Sequence, residues 1–191
     1  AGRADGNWSP PPVKVVLLLQ DLEFGGTQRY GLSLLKHLDR TRFSPEMWIL
    51  RGGTEPAFRA GERGNEIVRM SHARRVGPRA VLRLASHLVR CRPDILYTLT
   101  VVPNIWGRIL GRAAGVPVIV SGYRSLLPRQ KERWLWPLSR RIICNARVLE
   151  GIMVRRFRVD PNRVVVIPNA VDTARFSPGQ EERTPFPSVL Y

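Results

Sequence analysis

Lysine is nearly missing from this 191-residue chain. Of its 31 Lys and Arg residues, only Lys14, Lys36 and Lys131 are lysine, a skew that a GC-rich genome produces as readily as a binding demand does. Acids are also scarce: 15 Asp and Glu leave a formal net charge of +16. A balance this basic attracts anions, whether nucleic acid, acidic lipid or phosphorylated substrate. The arginines are dispersed in short clusters such as Arg74-Arg75, Arg140-Arg141 and Arg155-Arg156, with no tail of continuous like charge. That dispersal weighs against nucleic acid. Cysteine is limited to Cys91 and Cys144, too few and too distant in sequence for a disulfide framework or a metal knuckle. The three histidines, His37, His72 and His87, show no ligand spacing, so no resident metal is expected. No segment approaches the roughly 20 apolar residues of a membrane span. The short Val15–Leu19 run follows three prolines rather than a basic n-region, unlike a signal peptide. A cytoplasmic protein is expected.

The organising stretch is Val13 to Gly31. Val13–Leu19 is a β-branched and aliphatic run of strand length, apolar on both faces, as in a buried parallel sheet. Gly25-Gly26 follows, where no Cβ obstructs a ligand or a positive φ. Thr27 suits the N-cap of the next helix. A helix N-terminus beside two glycines offers free N–H groups and a positive dipole end to a phosphate.

Strand and helix then alternate. Residues 1–12 are small, polar and proline-rich and read as a tail. Helix signals cover about 28–38, a short stretch at 57–63, 78–90, a segment marked by Ile105, Trp106, Ile109, Leu110 and Ala113, then 130–139 and about 145–157. Strand signals fall at 43–50, weakly at 66–69, and at 94–98, 116–120, 141–144 and 163–167. Gly31 lies on the apolar face of the first helix, where it permits a close seat on the sheet. The alternation predicts an α/β fold: a Rossmann-like, doubly wound parallel sheet built from right-handed βαβ units. Ligands bind such sheets outside the carboxyl ends of the strands. The residues that matter should therefore lie in 20–27, 51–55, 99–104, 121–125, at 145 and in 168–172.

The phosphate motifs of two large classes are absent. A dinucleotide-binding turn wants Gly-x-Gly-x-x-Gly and an acid at the end of the second strand. This chain has Gly25-Gly26 and then Gly31, with Arg51-Gly52-Gly53 in the acid's place, although an arginine there could meet a 2′-phosphate. Gly-x-x-x-x-Gly-Lys-Ser/Thr is missing too, which excludes a P-loop nucleotidase on motif grounds.

Three segments in order carry a resemblance. They are Leu22-Glu-Phe-Gly-Gly-Thr-Gln-Arg29, Arg141-Ile-Ile-Cys-Asn-Ala-Arg-Val-Leu149 and Val164-Val-Val-Ile-Pro-Asn-Ala-Val-Asp-Thr-Ala-Arg-Phe-Ser-Pro178. Together they resemble the N-terminal domain of a family 4 glycosyltransferase of the GT-B fold. The second has Ala146 where the family usually has Ser, and the third, the most specific, has Ala170 where the family usually has Gly. The resemblance implies an acceptor-binding domain over 13–172, then a linker and the first strand of a donor domain over 173–191. In the family the donor domain carries paired glutamates and holds the nucleotide-sugar. It implies transfer of sugar from a nucleotide-sugar donor to a glycan or lipid-linked acceptor, with no cofactor, and with the present chain alone inactive. The competing reading is a non-catalytic basic module that binds nucleic acid or another polyanion.

The resemblance points to Gly25, Gly26 and Thr27 facing donor or acceptor across an interdomain cleft. Asn104 and Asn145 each either cap a helix or contact ligand. Asn169 and Asp172 either organise the hinge turn or contact ligand. The family often places a His after the fifth strand; here that stretch reads Ser121-Gly-Tyr-Arg-Ser125. Tyr123 and Arg124 are the candidates there, Arg124 through its planar fork to a phosphate, and no general base is assigned. The segment 124–141 mixes Arg129, Lys131 and Arg133 with Trp134 and Trp136. Either it meets an anionic membrane surface, as Trp and basic residues on one amphipathic segment do, or the tryptophans pack on the sheet.

Overall fold

The computed structural model describes residues 10–23, 25–52, 67–124 and 130–170. The expected short helix at 57–63, the expected truncated strand at 188–191, the linker, and the site candidates Asp172 and Arg129 lie outside the described residues.

Seven parallel strands form one sheet in the order β3-β2-β1-β4-β5-β6-β7. They are β1 Val13–Leu19, β2 Phe43–Ile49, β3 Ile67–Arg69, β4 Ile95–Thr98, β5 Val118–Tyr123, β6 Arg141–Cys144 and β7 Val164–Val166. The helices are α1 Gly26–His37, α2 Pro78–Cys91, α3 Val101–Ala113, α4 Glu132–Leu135 and α5 Arg147–Phe157, with a 3-10 turn at Trp136–Leu138 after α4. Strand order runs outward in both directions from β1 and β4, so the topological switch point lies between these two strands. That is where an open α/β sheet leaves a crevice at its carboxyl edge.

Alternate residues of each strand serve opposite faces. Val15, Leu17, Leu19, Met47 and Ile49 face α1 and pack with Leu35. Val16, Leu18, Trp48 and Leu96 face α2, whose Ala80, Leu84 and Leu88 are buried. Further along that face, Ile142, Cys144 and Val164 bury Leu149, Met153 and Phe157 of α5. Burial pushes the Cys144 thiol up to about 12, with the Glu150 charge adding to the effect. Gly31 does sit against the sheet: a Cβ there would come within 3.3 Å of Leu19 and Met47.

Three expectations are corrected. Thr27 is not the N-cap of α1; Gly25 is, without a side-chain cap bond, and Thr27 is already a helical residue. The Arg29 amide bonds the Gly25 carbonyl, so the helix begins at the glycines. Secondly, α3 starts at Val101, inside the expected 99–104 loop, because Pro103 falls in its first turn, where no backbone donor is missed. Its buried face is Asn104, Gly107, Arg108 and Gly111, while Trp106 and Ile109, two of the residues that mark the helix in sequence, are both 39% exposed. Thirdly, β5 runs on to Tyr123, so the expected 121–125 loop begins at Arg124.

The inward face of α3 is polar because it meets polar partners. Arg108, fully buried, pairs its Nη1 with Glu132 Oε2 of α4 at 2.8 Å. Its Nε donates to Ser121 Oγ at 2.8 Å and its Nη2 to the Tyr123 hydroxyl. Ser121 Oγ also meets Ser139 Oγ at 2.8 Å and receives company from Thr98 Oγ1 at 3.1 Å. This network ties β4, β5, α3 and α4 together, and a buried charge is tolerable only when so completely partnered.

Candidate functional site

The carboxyl edge at the switch point is built by the segments after β1, β2, β5 and β7. Asp21, 4% exposed, organises the first of them. Its Oδ1 accepts from the Glu23 amide at 3.2 Å and from Gln28 Nε2 at 3.0 Å, which braces the turn against the first turn of α1. Its Oδ2 meets Arg51 Nη2 at 2.7 Å. Arg51 also bonds Glu23 Oε1 at 3.1 Å and the Arg74 carbonyl at 2.8 Å. The arginine at the end of β2 is therefore spent on holding the turn after β1, and is not waiting for a 2′-phosphate.

Between these supports, α1 opens with Gly26 on the surface. A Cβ built on Gly26 would meet nothing within 4 Å. Neither Gly25, with φ 179, nor Gly26 holds a positive φ. The fold thus does not demand glycine at Gly26; what glycine leaves there is bare space in front of a helix N-terminus.

Arg124, the first residue after β5, reaches across to α1. Its guanidinium lies 3.2 Å from the centroid of the Tyr30 ring. Its Nη1 donates to Asn169 Oδ1, beyond β7. Its Nε and Nη2 are buried and make no hydrogen bond. Those two nitrogens form one edge of the guanidinium, the edge that grips a carboxylate or phosphate with two parallel bonds. The Tyr97 hydroxyl of β4, at 6% exposure for the residue, is unpartnered as well. Burial first, then the neighbouring Tyr30 phenol, raises the Tyr97 pKa, and Arg124 opposes them. Tyr30 and Arg124 are near enough to bias this proton, but neither is placed for a well-formed hydrogen bond to it.

The structure therefore brings Gly25, Gly26, Arg124 and Asn169 to one edge. It places two other candidates elsewhere. Tyr123 points to the α3 face, where burial raises its pKa and its hydroxyl serves Arg108. Asn104 is 3% exposed and caps nothing: its Oδ1 accepts from Thr98 Oγ1 at 2.6 Å and its Nδ2 donates to the Gly122 carbonyl at 3.1 Å. Both are inward because β5 is longer, and α3 begins earlier, than the sequence pattern indicated. Asn145 precedes α5, whose N-cap is Ala146, and its amide bonds the Tyr123 carbonyl at 3.3 Å. Of the interfacial segment, Lys131, Arg133 and Trp134 are exposed, Trp134 at 78%, while Trp136 is half-buried with Arg163 stacked 5.5 Å from its ring centroid.

Asp21, Tyr30, Tyr97, Arg108 and Glu132 were not singled out from sequence. An acid directly after a buried strand and ahead of a glycine pair was a readable signal for Asp21. Nothing local marks the others, since each acquires its role from a distant partner.

The model for Glycosyltransferase Family 4 matches residues 24–175. The chain belongs to glycosyltransferase family 4. Its architecture is that of the Rossmann-like N-terminal half of a GT-B glycosyltransferase, as the three motifs implied. The family 4 domain is similar to the UDP-Gal:alpha-D-GlcNAc-diphosphoundecaprenol alpha-1,3-galactosyltransferase of Escherichia coli. The two are 30% identical over 112 residues, 52% of this chain and 29% of that protein. In fold it resembles a glycosyltransferase from Rickettsia africae, with a TM-score of 0.66 and 15% identity over 91% of this chain and 47% of that one. It also resembles Anabaena Alr3699/HepE in complex with UDP and glucose, with a TM-score of 0.64 and 16% identity over 85% of this chain and 46% of that one. The chain thus spans less than half the length of each of these relatives. Among the described residues, no helix is long and apolar enough to cross a membrane, and no group of three His, Cys, Asp or Glu could hold a metal ion.

Proposed function

We propose that this domain is the acceptor side of an enzyme that moves a sugar from a nucleotide-sugar to a glycan or lipid-linked acceptor. The observation that carries the reading is the unpartnered Nε–Nη2 edge of Arg124 beside the open N-terminus of α1, at the switch point of the sheet. Paired donors and bare amides at one edge suit an acceptor or donor phosphate. The relationship to an Escherichia coli enzyme named for a diphospholipid-linked acceptor makes such an acceptor, and an envelope polysaccharide product, the preferred assignment. Asn145 and Asn169 belong to the same edge or to the hinge that follows it; Asp172 is assigned to ligand or hinge on its sequence motif alone. The donor would be gripped by a further domain of the parent protein, so the 191-residue chain turns over nothing alone. No resident metal is proposed, so a chelator leaves transfer by the parent protein unchanged.

Location on the inner face of a membrane, held peripherally, goes with a lipid-linked acceptor and with the exposed Trp134, Lys131 and Arg133. Nothing in the comparisons favours the non-catalytic polyanion module.

The test is binding of a soluble diphosphate-linked sugar acceptor to the chain, followed by calorimetry, with Arg124→Ala alongside. Hydrogen bonds to a charged group contribute about 1.5–3 kcal/mol, so the variant should bind roughly 10- to 150-fold more weakly. Equal affinity of the two proteins refutes the assignment of Arg124. Sugar transfer by the isolated chain refutes the division of labour.

A further inference from the structure

The Tyr97 hydroxyl shares its surroundings with the free edge of Arg124, and the register of the sheet is what gathers them. Tyr97 of β4 lies opposite Val120 of β5. Val120, Gly122 and Arg124 project to one face, because residues of an extended chain alternate. That face is the α1 side, where Tyr97 packs with Leu17, Leu19, Tyr30 and Val120. Gly122 stands between Val120 and Arg124 and carries no side chain. The Tyr97 ring leans along β5 into the space this leaves: a Cβ on Gly122 would lie 3.2 Å from the Tyr97 hydroxyl oxygen. The hydroxyl thus sits toward the end of β5 from which Arg124 leaves, close enough for the Arg124 charge to act on it.

Among the described residues no acceptor answers Arg124 Nε, Arg124 Nη2 or the Tyr97 hydroxyl. The Gly122 carbonyl is taken by Asn104 Nδ2 at 3.1 Å, and Asn169 Oδ1 by Arg124 Nη1. A buried donor left unpaired costs more than an ordinary hydrogen bond returns, so three in one place call for a common acceptor. Burial raises the Tyr97 pKa, so the hydroxyl keeps its proton and presents a donor. The group that answers all three accepts without donating and carries at least two oxygens, as an ionised phosphate does. The cover over the hydroxyl is slight. Arg124 is held there by its stack on Tyr30 and by its bond to the exposed Asn169, so rotation of one side chain opens Tyr97 to the carboxyl edge.

We propose that Tyr97 is a ligand-binding residue: its hydroxyl and the Nε–Nη2 edge of Arg124 take the oxygens of one acceptor phosphate. The inference rests on the acceptor-side reading above and adds to it a residue of the sheet itself. It seats that phosphate against β4 and β5, inward of the first turn of α1.

The test variant is Tyr97→Phe, which removes the hydroxyl and nothing else. Calorimetry with a short-chain alkyl diphosphate-linked sugar should show about tenfold weaker binding, the effect of one hydrogen bond to a charged group. The urea midpoint of the ligand-free chain should stay level or rise, because the lost hydroxyl had no partner. In Tyr97→Phe/Arg124→Ala the loss should fall short of the product of the two single losses, since both residues hold one group. Unchanged affinity of Tyr97→Phe beside a weakened Arg124→Ala overturns the inference and leaves the acceptor-side reading standing. A lowered midpoint means that the hydroxyl is bonded within the fold, and overturns it too. Losses that multiply in full overturn the shared phosphate. A loss with uridine diphosphate and none with the acceptor gives the phosphate to the donor, against the proposal. Failure of the unmodified chain to bind the acceptor overturns both readings.

Discussion

Replacing Glu132 by Ala would leave a fully buried guanidinium without its counter-charge. In the structure Arg108 Nη1 and Glu132 Oε2 are 2.8 Å apart, and the two side chains are 0% and 5% exposed. At an effective dielectric near 20 the attraction is roughly 6 kcal/mol, from which the desolvation of each ion subtracts several kcal/mol. The net worth of the pair is therefore small, but the cost of breaking it is not. Arg108 keeps its bonds to Ser121 and Tyr123, yet its charge has nowhere to go. Such a loss costs about 3–5 kcal/mol, against a typical domain stability of about 5–15 kcal/mol. Urea unfolding followed by circular dichroism should show a correspondingly lower midpoint. Arg108→Met combined with Glu132→Leu removes both charges and should recover most of the loss, as paired apolar replacements often do. The reasoning is refuted if Glu132→Ala costs less than about 1 kcal/mol, or if the double variant is less stable than the single one.

Two further outcomes test the packing and the open edge. A methyl added by Gly107→Ala would lie 2.6 Å from Thr98 Cγ2 and 2.8 Å from Leu18 Cδ2; overpacking of this kind costs about 1–3 kcal/mol, measurable by the same unfolding assay. Gly26→Ala, facing empty space, should leave stability unchanged or higher while weakening acceptor binding, and a stability loss matching that of Gly107→Ala would contradict the reading of this position. Cys144 supplies the pH test. Its folded pKa is raised to about 12 from an ordinary 9.0, so between those values the unfolded chain gives up the proton first. Stability should fall as pH rises through that window and be unaffected by this thiol below it; Cys144→Ala should remove that part of the alkaline slope. Iodoacetamide at neutral pH should label the half-buried Cys91 and spare Cys144 in the folded chain.

The strands were legible because burial on both faces writes itself into local composition. Val13–Leu19 and Arg141–Cys144 fall where their β-branched and aliphatic runs place them. The alternation of such runs with amphipathic segments such as Pro78–Cys91 was enough to specify a parallel α/β sheet. The Gly25-Gly26 turn and the segments at 141–149 and 164–178 named the family, since those motifs are short and contiguous. Local pattern did not give the inward face of α3, whose residues are Asn104, Gly107, Arg108 and Gly111. A helix normally buries its apolar stripe, and only the tertiary pairing with Glu132, Thr98 and Ser121 makes a polar one favourable.

By itself, then, the sequence determined the kind of sheet and the glycine turn after its first strand. Tertiary structure decided which polar residues stay at the carboxyl edge and which go inside. Arg124 and Asn169, 45 positions apart, meet because β5 and β7 end on the same side. Arg51 and Asp21 meet for the same reason across β1 and β2, while Tyr123 and Asn104 turn inward. Hydrophobic periodicity acts over a few residues and can be read along the chain. The partner of a charge or a hydroxyl lies across the sheet, and its identity exists only once the strands are side by side.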